Sequence, residues 1–430
     1  MRLLVKNGTV IDPANKIEAV MDILAQDGRI SRVAKDIKIE ADTVIDAAGM
    51  IVMPSVVDMH VHLREPGRED KETVASGTMA AARGGVTTVL AMPNTSPAID
   101  SGENVQVLKD IINRSALIDV LISGAITMGR LGKELCDIGA MRKKGAIVIT
   151  DDGASVEDEE LMLKALSAAK KDKILVVCHC EDKRLSGKGV VNFGFTSTRL
   201  GLRGVPNESE YKRVERDIRL AAETGASIHI AHLSCAESVD IIRKAKKDGV
   251  KVTAETAPHY FTLNEDAVLD YNTNMKINPP LRSCKDVEAI KRGLKDGVID
   301  AIASDHAPHT ENEKEIEFEY AESGTIGLET ELSAGITALV DKGLLTWNEL
   351  VEKMCLNPAR ILGIDKGSLG VGREADITIV SPGKEWTVKK HNFMSRSSNS
   401  AFLGMKLKGV VEYTIYKGRV IYSARKGVAE

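Results

Sequence analysis

The chain has 430 residues, a formal net charge of −4, 43% hydrophobic and 28% charged residues. This length exceeds one small domain and suits an α/β barrel with an additional domain, and the composition is typical of a globular protein. The weak negative charge argues against nucleic acid or an anionic membrane as a partner, and no apolar run approaches the ~20 residues of a membrane span. Since the first residues also lack a signal-peptide core, we expect a cytoplasmic protein.

The N-terminal residues 1–52 alternate polar and apolar positions. They contain the turn dipeptides Asn7-Gly8 and Asp27-Gly28, which favour short strands joined by tight turns. This part of the chain therefore predicts a small β structure rather than the start of a helical domain.

The middle of the chain, residues 53–360, alternates short apolar runs with helical stretches that commonly end in glycine. Eight β-branched runs separated by helices predict a parallel (β/α)8 barrel inside a ring of helices. The third and eighth runs carry the weakest strand signal. The runs are residues 51–62, 86–92, 117–125, 146–150, 174–180, 227–233, 251–256 and 299–304.

The C-terminal residues 361–430 resemble the N-terminal part, with alternating stretches such as ADITIVSP and GVVEYTIYKGRVIYS. Two β-rich ends that flank a barrel predict one small β-sandwich assembled from both termini. Two independent β appendages are the alternative.

Histidine and aspartate follow the ends of five of the predicted barrel strands. Enzymes with this barrel carry their chemistry at the carboxyl ends of the strands, so these side chains should meet in one site. Asp151, beside Asp152, should point away from the site and be structural. The strand-end residues are His60, His62, Asp151, Asp152, His179, His232 and Asp305.

These residue types predict a metal site. His60 and His62 are two apart on a strand and can hold one ion, and Asp152 has two oxygens with which to bridge two ions. His179 and His232 would complete the second set of ligands. Nitrogen and oxygen ligands favour zinc, with manganese or iron as alternatives, and zinc would make water acidic enough to become a nucleophile. Asp305 would touch the metal and move the proton from water to the leaving group.

The Cys178-His179-Cys180 triplet looks like a metal cluster. On a strand, however, neighbouring side chains point to opposite faces, so the three cannot share one ion. All six cysteines are expected to be reduced packing residues. They are Cys136, Cys178, Cys180, Cys235, Cys284 and Cys355.

The stretches HVHLREPG, ETAPHY, SDHAPH, NPARILG and GREADITIV resemble the cyclic amidohydrolases. This family includes dihydropyrimidinases (hydantoinases), allantoinases and dihydroorotases. The resemblance covers essentially the whole chain, with the motifs in the right order. It implies a metal-dependent barrel enzyme that opens or closes a cyclic amide.

Two features favour the long-chain bacterial dihydroorotase branch. The fourth strand ends in TDDG, without the carboxylated lysine that usually bridges the metals of hydantoinases and allantoinases. Arg64 offers a guanidinium to the carboxylate that dihydroorotate has and hydantoin lacks. The branch implies reversible, zinc-dependent cyclisation of N-carbamoyl-L-aspartate to (S)-dihydroorotate. Another cyclic amidohydrolase, or an inactive scaffold partner of aspartate carbamoyltransferase, is the alternative.

The family permits a homodimer and a complex with aspartate carbamoyltransferase. Carried over position by position, the resemblance also implies one or two zinc ions per chain and the following roles for single residues. Asp305 would be the catalytic acid and base. One ion would be held by His60, His62, Asp152 and Asp305, and the other by Asp152, His179 and His232. Substrate would be held by His62, Arg64, Asn94, Asn278, His309, Ser323 and Gly324.

The remaining polar features have less specific interpretations. His229 should pack on the opposite face of its strand from His232. His259 and His306 either orient ligands or pack. His391 and its lysine neighbours should be solvated. The acidic residues 310–324 are expected to form a lid that orders over substrate, with a solvated loop as the alternative.

Overall fold

The computed structural model describes residues 1–429. Strands dominate both ends of the chain, and strands alternate with helices between them. The strands are β1 (Arg2–Asp12), β2 (Ile17–Gln26), β3 (Arg29–Ala34), β4 (Thr43–Asp46), β5 (Ile51–Pro54), β6 (Val56–Val61), β7 (Val86–Ala91), β8 (Asp119–Gly124), β9 (Ala146–Ile149), β10 (Leu175–Cys178), β11 (Val191–Asn192), β12 (Gly204–Val205), β13 (Ile228–Ile230), β14 (Val252–Thr256), β15 (Ala301–Ile302), β16 (Ile377–Thr387), β17 (Lys406–Tyr416), β18 (Arg419–Ser423) and β19 (Gly427–Val428).

The helices follow the barrel strands, and several end in a glycine in the left-handed conformation, as at Gly85 after the first helix. None of the helices in residues 1–429 has the length and apolar character that a bilayer span needs. The α-helices are α1 (Val74–Gly84), α2 (Gly102–Ser115), α3 (Ile138–Lys144), α4 (Glu159–Asp172), α5 (Lys183–Ser186), α6 (Phe195–Leu200), α7 (Glu208–Thr224), α8 (Ala236–Lys247), α9 (Pro258–Thr262), α10 (Cys284–Lys295), α11 (Glu311–Lys314), α12 (Glu331–Gly335), α13 (Trp347–Val351) and α14 (Asn357–Leu362).

The two ends of the chain form one sheet, in the order β19-β18-β17-β16-β5-β1-β2-β3, with β4 beside β1. Strand β5 joins the two halves, because it pairs in parallel with β1 and antiparallel with β16. Side chains from both halves, such as Val5, Ile23, Val52 and Ile377, share one apolar core. The prediction of a single β domain built from both termini is confirmed, and the alternative of two independent appendages is wrong.

The middle of the chain forms the predicted barrel of parallel strands, in the order β6-β7-β8-β9-β10-β13-β14-β15. The His62 N–H donates to the His306 carbonyl oxygen at 2.9 Å, which connects the first strand to the segment after the last. Helices pack around the outside through a large apolar core that includes Val89, Ile149 and Leu166. The fold is therefore a (β/α)8 barrel, as predicted from the alternation of runs.

The first predicted run, residues 51–62, is two strands rather than one. Strand β5 belongs to the β domain and β6 to the barrel, and Ser55 lies between them with its N–H donated to the Asp376 carbonyl oxygen at 3.1 Å. All the residues from Ile51 to His60 are buried, so hydrophobicity does not reveal where the chain changes sheets.

The packing prediction for the cysteines holds for five of them but is wrong for Cys284, which is exposed at the start of α10. The side chains of Cys178 and Cys180 belong to the apolar core between the barrel strands and the helices. The Cys180 thiol lies 3.6 Å from Asp217. Their side chains thus point away from the face to which His179 points.

A partly buried ammonium group connects the β domain to the barrel. Lys366 Nζ lies 2.6 Å from carboxylate oxygens of Asp119, Glu374 and Asp376. Asp119 begins β8 of the barrel, whereas Asp376 directly precedes β16 of the β domain. Tyr416 of β17 donates its hydroxyl to Asp119 at 2.6 Å.

Replacing Lys366 with methionine should destabilise the protein by about 1.5–3 kcal/mol, because three clustered carboxylates lose the ammonium group that all three contact. Lys384→Met is the matched control, since Lys384 makes one exposed ion pair with Glu412 and should cost at most about 1 kcal/mol. Urea unfolding of both variants measures the difference. Equal unfolding midpoints would show that Lys366 does not stabilise the junction.

Candidate metal centre

Six of the side chains predicted as ligands converge at the carboxyl ends of the barrel strands. His60 lies in β6, and the other five lie within three residues after their strands. All six are at least nine-tenths buried. They are His60, His62, Asp152, His179, His232 and Asp305.

Asp152 lies at the centre of four imidazoles. Its Oδ1 is 3.3 Å from His60 Nε2 and 3.5 Å from both His179 Nδ1 and His232 Nε2. Its Oδ2 is 3.5 Å from His62 Nε2. The carboxylate therefore contacts both of the ligand sets that the sequence predicted.

Asp305 closes the other side of the histidine pair. Its Oδ1 lies 3.3 Å from His62 Nε2 and 3.7 Å from His60 Nε2. Burial opposes ionisation of Asp305, but the neighbouring imidazoles of His62, His60 and His232 outweigh it and hold the pKa below its ordinary value.

The spacing of these atoms suits a metal ion. Two ligand atoms bound to one tetrahedral zinc at about 2.0–2.1 Å lie about 3.4 Å apart, close to the separations around Asp152. His60 Nε2 and Asp152 Oδ1 are buried and have no hydrogen-bond partner within residues 1–429. Buried polar atoms normally have a partner, so a cation is the group that would satisfy this pair.

Three of the imidazoles are held by a hydrogen bond on the nitrogen that faces away from Asp152. His60 Nδ1 donates to Glu255 Oε1 at 2.8 Å, and His62 Nδ1 donates to Asn94 Oδ1 at 2.8 Å. His179 Nε2 donates to Glu181 Oε2 at 3.2 Å. These bonds fix each ring's orientation and leave the inward nitrogen with a free lone pair, as metal-binding histidines require.

Glu255 has a second histidine partner. Its Oε2 lies 3.3 Å from His229 Nε2, and His229 Nδ1 contacts the Thr253 hydroxyl at 2.8 Å. Burial raises the pKa of Glu255, but the hydrogen bonds from His229 and His60 outweigh it and bring the pKa to about 2. His229 is buried as predicted, but it also supports a ligand through Glu255.

Asp151, His306 and His259 also lie near the site. Asp151 points away, as predicted, and accepts the Ile126 and Thr127 N–H groups at 2.8 and 3.0 Å. His306 donates to Glu72 at 3.2 Å, and burial lowers the pKa of His259 to about 4. Asp151 and His306 thus hold the surrounding loops. His391, which was predicted to be solvated, is exposed.

Some residues of this site have a strained backbone. Arg64, His232 and Asp305 have φ angles of 61°, 35° and 49°, in the left-handed region that costs an L-residue about 1–3 kcal/mol. Such conformations persist where the surrounding structure enforces them, and here they direct three polar side chains into one cavity.

The cavity above these residues has a volume of about 260 Å³. It is lined by every residue that the resemblance assigned to substrate, whereas His60 lies beneath its floor. Gly324 is required there, because an added Cβ would lie 3.0 Å from His309 Nε2 and φ is 145°. The substrate residues are His62, Arg64, Asn94, Asn278, His309, Ser323 and Gly324, and the cavity also contains Arg130, Gly153, Ala307 and Glu322.

Arg64 supplies a positive charge to the cavity. Its Nε donates to the Pro308 carbonyl oxygen at 3.2 Å, and within residues 1–429 no carboxylate lies within 4.0 Å of its guanidinium. Burial lowers the pKa of Arg64 to about 10, so the group remains charged at neutral pH. A free guanidinium of this kind suits a ligand carboxylate.

Neighbouring side chains hold the part of the cavity wall that His309, Ser323 and Gly324 form. Lys71 Nζ donates to His309 Nδ1 at 3.1 Å, and His309 Nε2 donates to the Ser323 carbonyl oxygen at 3.0 Å. The Asn399 side chain, from the C-terminal part, accepts the His309 N–H at 3.0 Å and donates to the Gly324 carbonyl oxygen at 3.1 Å.

The segment 310–324 is held in place by contacts that its sequence did not indicate. Lys314 is buried, and its Nζ donates to the carbonyl oxygens of Glu322 and Gly324 at 2.7 and 3.1 Å. Phe318 packs in an apolar cluster with Val191. The end of the segment forms part of the cavity wall, and movement over substrate stays a prediction.

Sequence reasoning missed Glu255, Glu181, Arg130 and Asn399. Glu255 begins the ETAPHY stretch, and an acid inside an apolar strand is a signal that could have identified it. Arg130 and Asn399 give no such signal, since they lie in polar loops far from the motifs. The contact of Arg130 with Asp152 and the contact of Asn399 with His309 depend on loop conformation.

Comparison with known protein families identifies one matching family model, "Dihydro-orotase-like", over residues 49–238. A dihydroorotase of Elusimicrobium minutum is 51% identical over 98% of this chain and 97% of its own length. A dihydroorotase of Citrifermentans bemidjiense is 50% identical over 99% of this chain and its entire length.

Solved structures of similar fold include the L-hydantoinase (dihydropyrimidinase) of Arthrobacter aurescens. It has a TM-score of 0.90 and 27% identity, and the match covers 100% of this chain and 97% of that one. A D-hydantoinase has a TM-score of 0.89 and 25% identity, with 100% and 96% covered.

Glu255→Gln should weaken metal binding by about 10–100-fold, because the amide cannot accept from both His60 and His229 as the carboxylate does. Competition with a chromophoric chelator measures the affinity without reference to activity. Glu160→Gln, at an exposed position of α4, is the matched control and should bind like the wild type. Unchanged affinity in Glu255→Gln would contradict the supporting role of Glu255.

Proposed function

The chain belongs to the dihydroorotase family, and we propose that it catalyses the reversible, zinc-dependent cyclisation of N-carbamoyl-L-aspartate to (S)-dihydroorotate in pyrimidine synthesis. The observation that carries the proposal is that six donor side chains converge, five of them lining one cavity, and that the guanidinium of Arg64 lines the same cavity without a carboxylate partner in residues 1–429. Identity near 50% along the whole chain to proteins named dihydroorotase supports it.

The donor set is compatible with one or two zinc ions. It consists of imidazole nitrogens and carboxylate oxygens without thiolate, which zinc accepts in catalytic sites. When bound, zinc would supply Lewis acidity, which lowers the pKa of water toward about 7 and polarises a carbonyl oxygen. We assign His60, His62, Asp152 and Asp305 to one ion, and Asp152, His179 and His232 to the other.

We assign Asp305 as the acid and base of the reaction. Hydrolysis of the ring needs a group that takes a proton from water and hands it to the departing ring nitrogen. Asp305 lines the cavity, and the lowered pKa of its carboxyl keeps it ionised and ready to accept that proton. In ring closure the same carboxyl would take the proton from the attacking nitrogen and deliver it to the oxygen that leaves.

Arg64 is assigned to the carboxylate that substrate and product share. The guanidinium can form two parallel hydrogen bonds to a carboxylate, which an ammonium cannot. Asn94 and Asn278 present amides to the same cavity, and His309 with the backbone at Ser323 and Gly324 forms the opposite wall. A ligand with one fixed anionic group and a polar ring fits these contacts.

An assay of the purified protein with dihydroorotate, hydantoin and allantoin tests the proposal directly. We expect kcat/KM for dihydroorotate to exceed the other two by at least about 100-fold, because a partly buried guanidinium left without its carboxylate disfavours the neutral rings. A preference for hydantoin would refute the dihydroorotase assignment while leaving a cyclic amidohydrolase.

Asp305→Asn should lower turnover by about 100-fold or more in both directions, since an amide cannot carry the proton. Metal content must be measured in the same preparation, because Asp305 is also assigned as a ligand. Asp240→Asn, on the exposed side of α8, is the control and should leave turnover unchanged. A metal-loaded Asp305→Asn enzyme with near-normal turnover would exclude this carboxyl as the acid and base.

Arg64→Lys should raise KM for both substrates by about 10- to 150-fold, which corresponds to about 1.5–3 kcal/mol for a lost charge-assisted hydrogen bond. Arg68→Lys is the matched control, because Arg68 pairs with Asp70 and Glu313 at the surface. Steady-state kinetics with each substrate gives the comparison. If both variants behave like the wild type, Arg64 does not hold the carboxylate.

A further inference from the structure

The cavity wall contains a histidine whose two ring nitrogens have different neighbours. His309 is buried, and its Nε2 lies 3.0 Å from the Ser323 carbonyl oxygen and 3.4 Å from Arg64 Nη2. Its Nδ1 lies 3.1 Å from Lys71 Nζ. A neutral imidazole carries one proton, so one nitrogen donates and the other accepts. The position of that proton decides which contacts the ring makes in the cavity wall.

Lys71 is a buried ammonium group behind this wall. Its side chain is 6% exposed, and it is not among the residues that line the cavity. Burial lowers the pKa of Lys71, but its Nζ lies 3.0 Å from Glu313 Oε1, and this contact opposes the shift. Burial also raises the pKa of Glu313, and the hydrogen bonds from Arg68 and Lys71 outweigh it and hold the pKa below its ordinary value. The ionised carboxylate therefore keeps Lys71 in its charged form.

The charge of Lys71 determines the tautomer of His309. An ammonium group has three N–H donors and no acceptor, so Nδ1 can contact it only as an acceptor without a proton of its own. Burial and the charges of Arg64 and Lys71 lower the pKa of His309 to about 2, so the ring is neutral at physiological pH. Its single proton is then on Nε2, which donates to the Ser323 carbonyl oxygen.

We propose that Lys71 is a positioning residue for substrate binding, which fixes the tautomer of His309 and thereby keeps Arg64 free for the substrate carboxylate. In this tautomer Nε2 carries a hydrogen and cannot accept from the guanidinium. Within residues 1–429 the guanidinium then donates only through Nε, to the Pro308 carbonyl oxygen. Both of its Nη groups remain for a carboxylate.

The opposite tautomer would change the wall in two ways. Nε2 would present a lone pair to Arg64 Nη2, so an acceptor of the protein would compete with the ligand for the guanidinium. Nε2 would also face the Ser323 carbonyl oxygen at 3.0 Å with no hydrogen between the two acceptors, which is unfavourable. Glu313 Oε2, 3.7 Å from His309 Nδ1, favours this opposite tautomer, because a carboxylate only accepts. Lys71 is the group that prevents it.

The consequence for substrate binding rests on the proposed function, whereas the tautomer does not. The proton is located on the ring itself, without any substrate. A protein that does not act on dihydroorotate would refute the proposed function, and the effect of Lys71 on His309 would still be measured.

Nitrogen NMR of the full-length, zinc-loaded protein with isotope-labelled histidine tests the tautomer. The loss of one pair of resonances in His309→Gln identifies those of His309. The wild type should carry its proton on Nε2 at neutral pH. Lys71→Met should move the proton to Nδ1, because Glu313 is then the partner of that nitrogen. Lys71→Arg keeps a charged donor and should retain the proton on Nε2.

Steady-state kinetics tests the effect on binding. Lys71→Met should raise KM for both substrates by about tenfold or more and change kcat by less than about threefold, because Lys71 acts on the wall and not on the reacting atoms. Lys71→Arg should lie closer to the wild type in KM. Lys164→Met is the control, since Lys164 pairs with Glu160 at the surface, and it should leave KM and the tautomer unchanged.

A wild-type His309 with its proton on Nδ1 would overturn the proposal, and this result does not require that any variant folds. A raised KM in Lys71→Met with the proton still on Nε2 would also overturn it, because Lys71 would then only support the structure of the wall. So would a moved proton that leaves KM for both substrates at the wild-type value.

Discussion

The buried carboxylate of Asp152, surrounded by four imidazoles, is the interaction on which the rest of the site depends. Removing a carboxylate from water is costly unless partners compensate for its charge. Here the partners come from β6 and from the loops after β10 and β13, with distances of 3.3–3.5 Å. No single segment of the chain could supply them, so the barrel has to close before this carboxylate is stabilised.

The surroundings of the cluster serve to hold the imidazoles in place. Glu255, Asn94 and Glu181 each accept from the outward nitrogen of one histidine, and His229 in turn occupies the second oxygen of Glu255. A ligand nitrogen kept in one orientation loses little entropy when it binds an ion. The strained backbone at His232 and Asp305 also directs their side chains into the cluster. Packing of the barrel and its helices offsets the free-energy cost of this strain.

The β domain contributes to the site in a way that its position in the chain does not suggest. Its strands form a separate sheet, but the loop between β16 and β17 reaches the barrel rim. There Asn399 holds the backbone on both sides of the binding wall, at His309 and Gly324. The ammonium of Lys366 joins the same two parts of the protein at a second place. The barrel and the β domain therefore act as one support for the cavity.

The sequence alone determined the (β/α)8 barrel, the joining of both ends in one β domain and the residues that meet at the strand ends. These depend on the period of hydrophobic residues and on the position of a side chain along a strand, which are local properties. It could not separate β5 from β6, because a buried strand of the β domain and a buried strand of the barrel have the same composition. Nor could it find the contacts of Glu255 with His60 and His229, the reach of Asn399 or the exposure of Cys284. Those depend on which distant segments become neighbours, and only the closed barrel with its docked loops decides that.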